Sequence, residues 1–108
     1  MAENEYGAPL DRNGYAPSVM QLGTCCFRCG TPYGKIDRHE VFHADMGGKM
    51  RDRSKRYGLW VWLCRECHEA AHEDYASRLK RYAQGCAMAE YGWSTETFIK
   101  LFGKNYRE

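Results

Sequence analysis

No stretch of this sequence stays apolar for anything near the ~20 residues that a bilayer crossing requires. The first residues, Met1-Ala-Glu-Asn-Glu-Tyr-Gly-Ala-Pro9, have neither the basic start nor the apolar run of a secretory signal. These absences lead to the expectation of a soluble protein, with no membrane partner, in the reducing cytoplasm. The chain also lacks a strong charge of either sign. A formal net charge of +2 permits nucleic-acid binding without requiring it, so only local clustering of cations can argue for such a partner. Asparagine is confined to Asn4, Asn13 and Asn105, and no internal repeat or low-complexity tract is present.

Cysteine, by contrast, is plentiful. A chain of 108 residues with 44% apolar and 14% aromatic content can fold as one domain, yet a core this small gains from a staple. In a reducing compartment six cysteines point to zinc rather than to disulfides. Cys26 and Cys29 stand three apart, as do Cys64 and Cys67, and that spacing lets each tight turn aim two thiolates at one tetrahedral ion. Cys25 lies beside the first pair, and a Cys25/Cys29 pairing is the wider alternative. Cys86 reads as an unligated thiol.

The second pair sits inside Leu59-Trp-Val-Trp-Leu-Cys-Arg-Glu-Cys-His-Glu-Ala-Ala-His72, where a strand-like run passes into two histidines. On a helix starting near Cys67, His68 and His72 project from one face about 5.4 Å apart along the axis. The thiolates would then hold a structural zinc, and the imidazoles, with a ligand from elsewhere, a second ion with open positions.

Three segments are expected. Residues 1–22, with two of the three prolines and no lasting period, read as an extended or flexible arm. Residues 23–91 form the zinc-braced domain, and 92–108 a helix packed on it. Within the domain, residues 35–42 alternate as a strand carrying Ile36 and Val41, with His39 at its end. Residues 43–58 read as a long polar loop with Gly47-Gly48 in its first half and Lys49, Arg51, Arg53, Lys55 and Arg56 in its second, cations that could contact phosphates. Residues 59–63 are a strand pairing antiparallel to the first, with Trp60 and Trp62 on one face as core or interface. A helix follows over 65–91, with a possible interruption at Gly85, and Ser94 or Thr95 caps a last helix over 96–102 that Gly103 ends. The fold class is α+β.

Taken together, Cys26-x2-Cys29, Asp37-Arg-His-Glu40, the run from Tyr57 to His68, and His72 resemble the ββα-metal finger of HNH endonucleases. More narrowly, Tyr57-Gly-x-x-Val61-x-Leu63-Cys64 and the ending Tyr91-Gly-Trp-Ser94 … Phe98-Ile-Lys-Leu-Phe-Gly103 are similar to small HNH-type proteins of phages and prophages. The resemblance runs from Thr24 to the C-terminus. It implies a small zinc-stabilised ββα-metal (HNH/His-Me finger) domain with C-terminal helices, hydrolysing DNA phosphodiester bonds with a catalytic divalent ion such as Mg²⁺ or Mn²⁺. Position by position, it makes Cys26, Cys29, Cys64 and Cys67 the structural zinc ligands and His39, His68 and His72 the ligands of the catalytic ion. The chain departs from the family twice. Where the family has a ligand followed by a general-base histidine, this chain has His39 followed by Glu40, so Glu40 takes the base position. Where the family has a middle asparagine as ligand or loop brace, this chain has Tyr57 and Gly58. His43 is either a replacement base or a loop residue. The alternative from another class is a non-catalytic zinc-finger module that binds nucleic acid or a protein partner.

Overall fold

Two short strands, β1 (Ile36–Glu40) and β2 (Trp60–Cys64), pair antiparallel with Ile36 opposite Cys64, His39 opposite Val61 and Glu40 opposite Trp60 in the computed structural model, which describes residues 2–43 and 48–107. Opposed residues share a face and neighbours alternate, so Asp37 and His39 lie with Val61 and Leu63, whereas Arg38 and Glu40 lie with Trp60 and Trp62. This alternation decides which side chains can meet at the strand end. Val61 and Leu63 are fully buried, and their face is covered by helices. On the reverse face the Arg38 guanidinium lies over Tyr15, Trp60 and Trp62, 4.0 to 4.8 Å from the ring centroids.

Four helices complete the α+β fold among the described residues: α1 (Lys49–Arg56), α2 (Arg65–Ala71), α3 (Ala76–Tyr91) and α4 (Thr95–Phe102). None is long and apolar enough to cross a membrane. Helix α4 begins where the Ser94 hydroxyl accepts the Thr97 amide at 3.1 Å, and it ends at Gly103 with φ near 91°. Phe98 and Phe102 from α4 join Phe42, Leu59, Leu79, Ala83 and Ala87 in one buried cluster.

The structure corrects the sequence reading in three places. Lys49–Arg56 is a helix rather than loop, built from residues with good helix propensity. Met50 and Ser54, four apart, are its only buried side chains. With so sparse an inward face, the periodicity is nearly silent. Residues 44–47, including Asp45 and Gly47, lie outside the described residues. The helical region 65–91 breaks at 72–75 rather than at Gly85, which sits inside α3. There the Tyr75 amide donates to Ala70 O at 2.9 Å, a turn that lets α2 seat Cys67 while α3 sends Leu79 and Ala83 into the core.

The third correction concerns the arm, which is extended but packed. Ala16 N donates to Lys55 O and Val19 N to Gly58 O, each at 2.9 Å, and Trp60 Nε1 donates to Ala16 O at 2.8 Å. Ala16 and Met20 are buried. The arm passes so close to Gly58, at φ near 72°, that a Cβ there would stand 2.2 Å from Pro17 O. Further towards the N-terminus, Asn4 is buried with its amide on Arg56 O, and the Tyr6 ring meets Tyr57, Tyr91 and Trp93.

Candidate metal centres and the histidine cleft

The first cysteine pair lies on a turn docked against β2: Phe27 N donates to Trp62 O at 2.7 Å, and Gly30 N closes on Cys26 O at 2.8 Å. This brings Cys26 and Cys29 to Cys64, at the end of β2, and Cys67, in the first turns of α2, with all four sulfur atoms within 4.8 Å of one another. A tetrahedral ion with Zn–S bonds of about 2.3 Å has sulfur–sulfur edges of about 3.8 Å. The Cys29 and Cys64 sulfurs stand 3.8 Å apart. The four cysteines fit a metal such as zinc, and Cys25, exposed, is not among them. Burial works against a Cys26 thiolate, but backbone N–H groups of Cys29, Cys64 and Arg28 outweigh it and bring the thiol down to about 6. At Cys67 burial prevails, pushing the thiol up to about 12 against the pull of Arg28, whose Nη1 is 3.7 Å from the sulfur. Four thiolates side by side therefore call for a cation to displace their protons.

One helix length away, four imidazoles converge. His39 hangs from the core face of β1 and is 3% exposed; His43 follows the strand; His72 ends α2. The ligand nitrogens of His39, His43 and His72 all lie within 4.8 Å of one another. Neighbouring ligands on a tetrahedral or octahedral ion with bonds of about 2.1 Å stand about 3.0 to 3.4 Å apart, within that limit. His68 is in ring contact with His39 and His72, at 4.9 and 5.1 Å, while its Nδ1 lies 3.8 Å from Asp37 Oδ2. The tightest trio thus contains His43 where the sequence reading had His68. The helical i, i+4 pair was visible in the sequence, but His43 reaches the cluster only because the chain turns after β1, and no spacing rule announces that. Burial and the neighbouring imidazoles push His39 down to about 3, so it is neutral at pH 7, the form that ligates metals. His43 is shifted the same way, first by burial and then by His72 and Lys80.

Glu40, on the opposite face of β1 from His39, reaches the same cleft at the strand end. Its Oε1 accepts Arg51 Nε at 2.7 Å, and the carboxylate is only 8% exposed. The Tyr15 phenol is raised by burial and by the nearby Glu40 charge. The cleft measures about 350 Å³, and all four histidines, Glu40, Arg51 and Tyr15 line it.

The strand end is braced from α1. Ser54 Oγ, fully buried on α1, donates to Phe42 O at 2.7 Å and accepts Phe42 N at 3.0 Å. One hydroxyl satisfies both backbone groups of the residue next to His43. Reading residues 43–58 as loop hid this, because the contact needs Ser54 on the inward face of a helix.

The expected phosphate-binding run is dispersed. Arg51 is paired with Glu40, Arg53 Nη1 donates to Leu101 O at 2.6 Å, Arg56 Nε donates to Glu5 at 2.7 Å, and Lys55 Nζ stands 4.8 Å from the Tyr15 ring centroid. Lys49 is exposed in the first turn. The helical geometry sends these cations in different directions, so they do not form a single strip. Compared with family models, curated proteins and solved structures, the chain has no match.

Proposed function

We propose that this chain is a small metal-dependent endonuclease of the HNH kind, of phage or prophage type, cutting DNA phosphodiester bonds, with β1, β2 and α2 as its ββα-metal finger. The observation that carries the reading is the convergence of His39, His43 and His72 in a cleft whose helix α2, capped by His72, also gives Cys67 to the four-cysteine cluster. His39, His43 and His72 would hold the catalytic ion, with His68 beside them. A bound Mg²⁺ or Mn²⁺ would supply charge stabilisation at the scissile phosphate and leaving oxygen. Arg51 keeps one N–H on Glu40, and its guanidinium has further donors for a phosphate oxygen. Glu40, or His68 beside the trio with its Nδ1 3.8 Å from Asp37 Oδ2, would take the proton from water.

A plasmid-nicking assay on zinc-loaded protein, with Mg²⁺ or Mn²⁺ added, tests this. Cleavage is expected, and His39→Ala or His72→Ala should abolish it together with binding of the second ion. Loss of the base should cost roughly 10²–10⁴-fold in rate with the ion retained. If Glu40→Gln behaves so, Glu40 is the base; if His68→Ala does instead, the proton goes to His68. A wild type that cuts nothing with any divalent ion points to the non-catalytic zinc-finger module, a reading that the tie between Glu40 and Arg51 favours.

A further inference from the structure

A second concavity lies outside the histidine cleft. It is a groove of about 870 Å³ between the outer side of α3, the Cys26–Cys29 turn and the C-terminal tail. Arg78 and Arg81 on α3 are exposed and line it, Lys80 and Lys104 stand on its sides, and no acidic side chain is among its lining residues. Aromatic rings lie between the cations. Tyr82 is 50% exposed and backed by Phe27 at 5.6 Å between centroids, so the ring is held in place while half of it faces solvent. Lys80 and Lys104 flank the Tyr106 ring at 5.7 and 5.1 Å.

We propose that this groove binds single-stranded nucleic acid, with backbone phosphates on Arg78, Lys80, Arg81 and Lys104 and a base stacked on Tyr82. Cations interleaved with supported aromatic rings are what a single strand needs, since each base offers a π-face and each linkage a charge. A duplex hides its base faces in the stack and would leave Tyr82 without a partner. An acidic peptide would match the charge but not the rings. As the substrate path of a nuclease, the groove rests on the function proposed above; as a binding surface it does not, and binding is measurable without cleavage.

The test is fluorescence anisotropy of labelled oligothymidine with the zinc-loaded full chain and no added Mg²⁺ or Mn²⁺, over a salt series. Binding should weaken as salt rises. Arg78→Ala/Arg81→Ala should reduce the slope of log affinity against log salt by about 1.4, from two lost phosphate contacts at roughly 0.7 each. Tyr82→Ala should weaken binding roughly tenfold while leaving the slope unchanged. A control with the same charge change outside the groove lining, Arg12→Ala/Lys35→Ala, should leave affinity within about twofold at fixed salt, because exposed charges that touch no phosphate are largely screened. The proposal is overturned if the groove variants match the control, if duplex binds as tightly and ignores Tyr82→Ala, or if polyglutamate displaces the oligonucleotide at equal charge concentration. A chain that nicks plasmid while groove variants bind oligothymidine normally loses this proposal and keeps the nuclease. A chain that binds through the groove and nicks nothing does the reverse.

Discussion

Ser54 does the work of a strand partner from a helix, pairing with the amide and the carbonyl of Phe42 in a site without solvent. Ser54→Ala leaves both groups buried and unpaired, and the cost should be about 1–3 kcal/mol, read as a lower urea midpoint with an unchanged m-value. Cys64→Ser should be harsher. Structural zinc contributes on the order of 10 kcal/mol to folding in small cysteine-rich modules, comparable to the whole stability of a domain of about 5–15 kcal/mol. Elemental analysis should find one tightly held zinc per folded chain, and the variant should be unfolded by circular dichroism; a folded, monodisperse chain without zinc contradicts this. The cysteines were legible because each pair sits within one turn, where spacing alone dictates geometry. Ser54 and His43 were not, because each acts on a residue brought near only by the path of the chain after β1.

At the scale of elements, α1 is a positively charged helix most of whose cations are tied to partners within the chain. Arg53 closes on the C-terminal end of α4 through Leu101 O, so its role is to tie two helices together. Arg53→Ala should lower thermal stability by about 1 kcal/mol, with no change in the salt dependence of oligonucleotide binding. A changed salt slope with unchanged melting would return Arg53 to the phosphate-binding set. The two strands and α4 were readable from alternation, from the Ser94 cap and from Gly103. Helix α1 was missed because only Met50 and Ser54 face inward, and one of the two is polar. The α2–α3 break was missed because composition stays helix-forming through residues 72–75. What bends the chain is the need to seat Cys67 and Leu79 on differently placed partners.

For the whole molecule, the N-terminal segment is part of the fold, and its attachment has a pH signature. Burial opposes the Glu5 carboxylate, but hydrogen bonds from Tyr57, the backbone and Arg56, with the Arg56 charge, together outweigh it and hold the group below its ordinary 4.5. A group lowered by folding binds more protons when unfolded, so this contribution is complete above pH 4.5 and is lost as pH falls through the folded value. Glu5→Gln should flatten that part of the stability–pH profile and leave the profile above pH 6 parallel to wild type, as chemical denaturation at stepped pH would show. Because Glu5 is half exposed, the effect should be small and should shrink with salt.

The ring cluster that receives the arm also sets an order of events during synthesis. Tyr6 leaves the ribosome well before its partner, because the indole N–H that its hydroxyl accepts belongs to Trp93, 87 residues later. At about 5–20 residues per second, the segment waits roughly 4 to 17 seconds for that partner to be made. The four thiols are all synthesised by Cys67, ahead of Trp93, so the metal-held half of the molecule can form while the segment around Tyr6 is still unanchored, and residues made before the cysteines find their place after them.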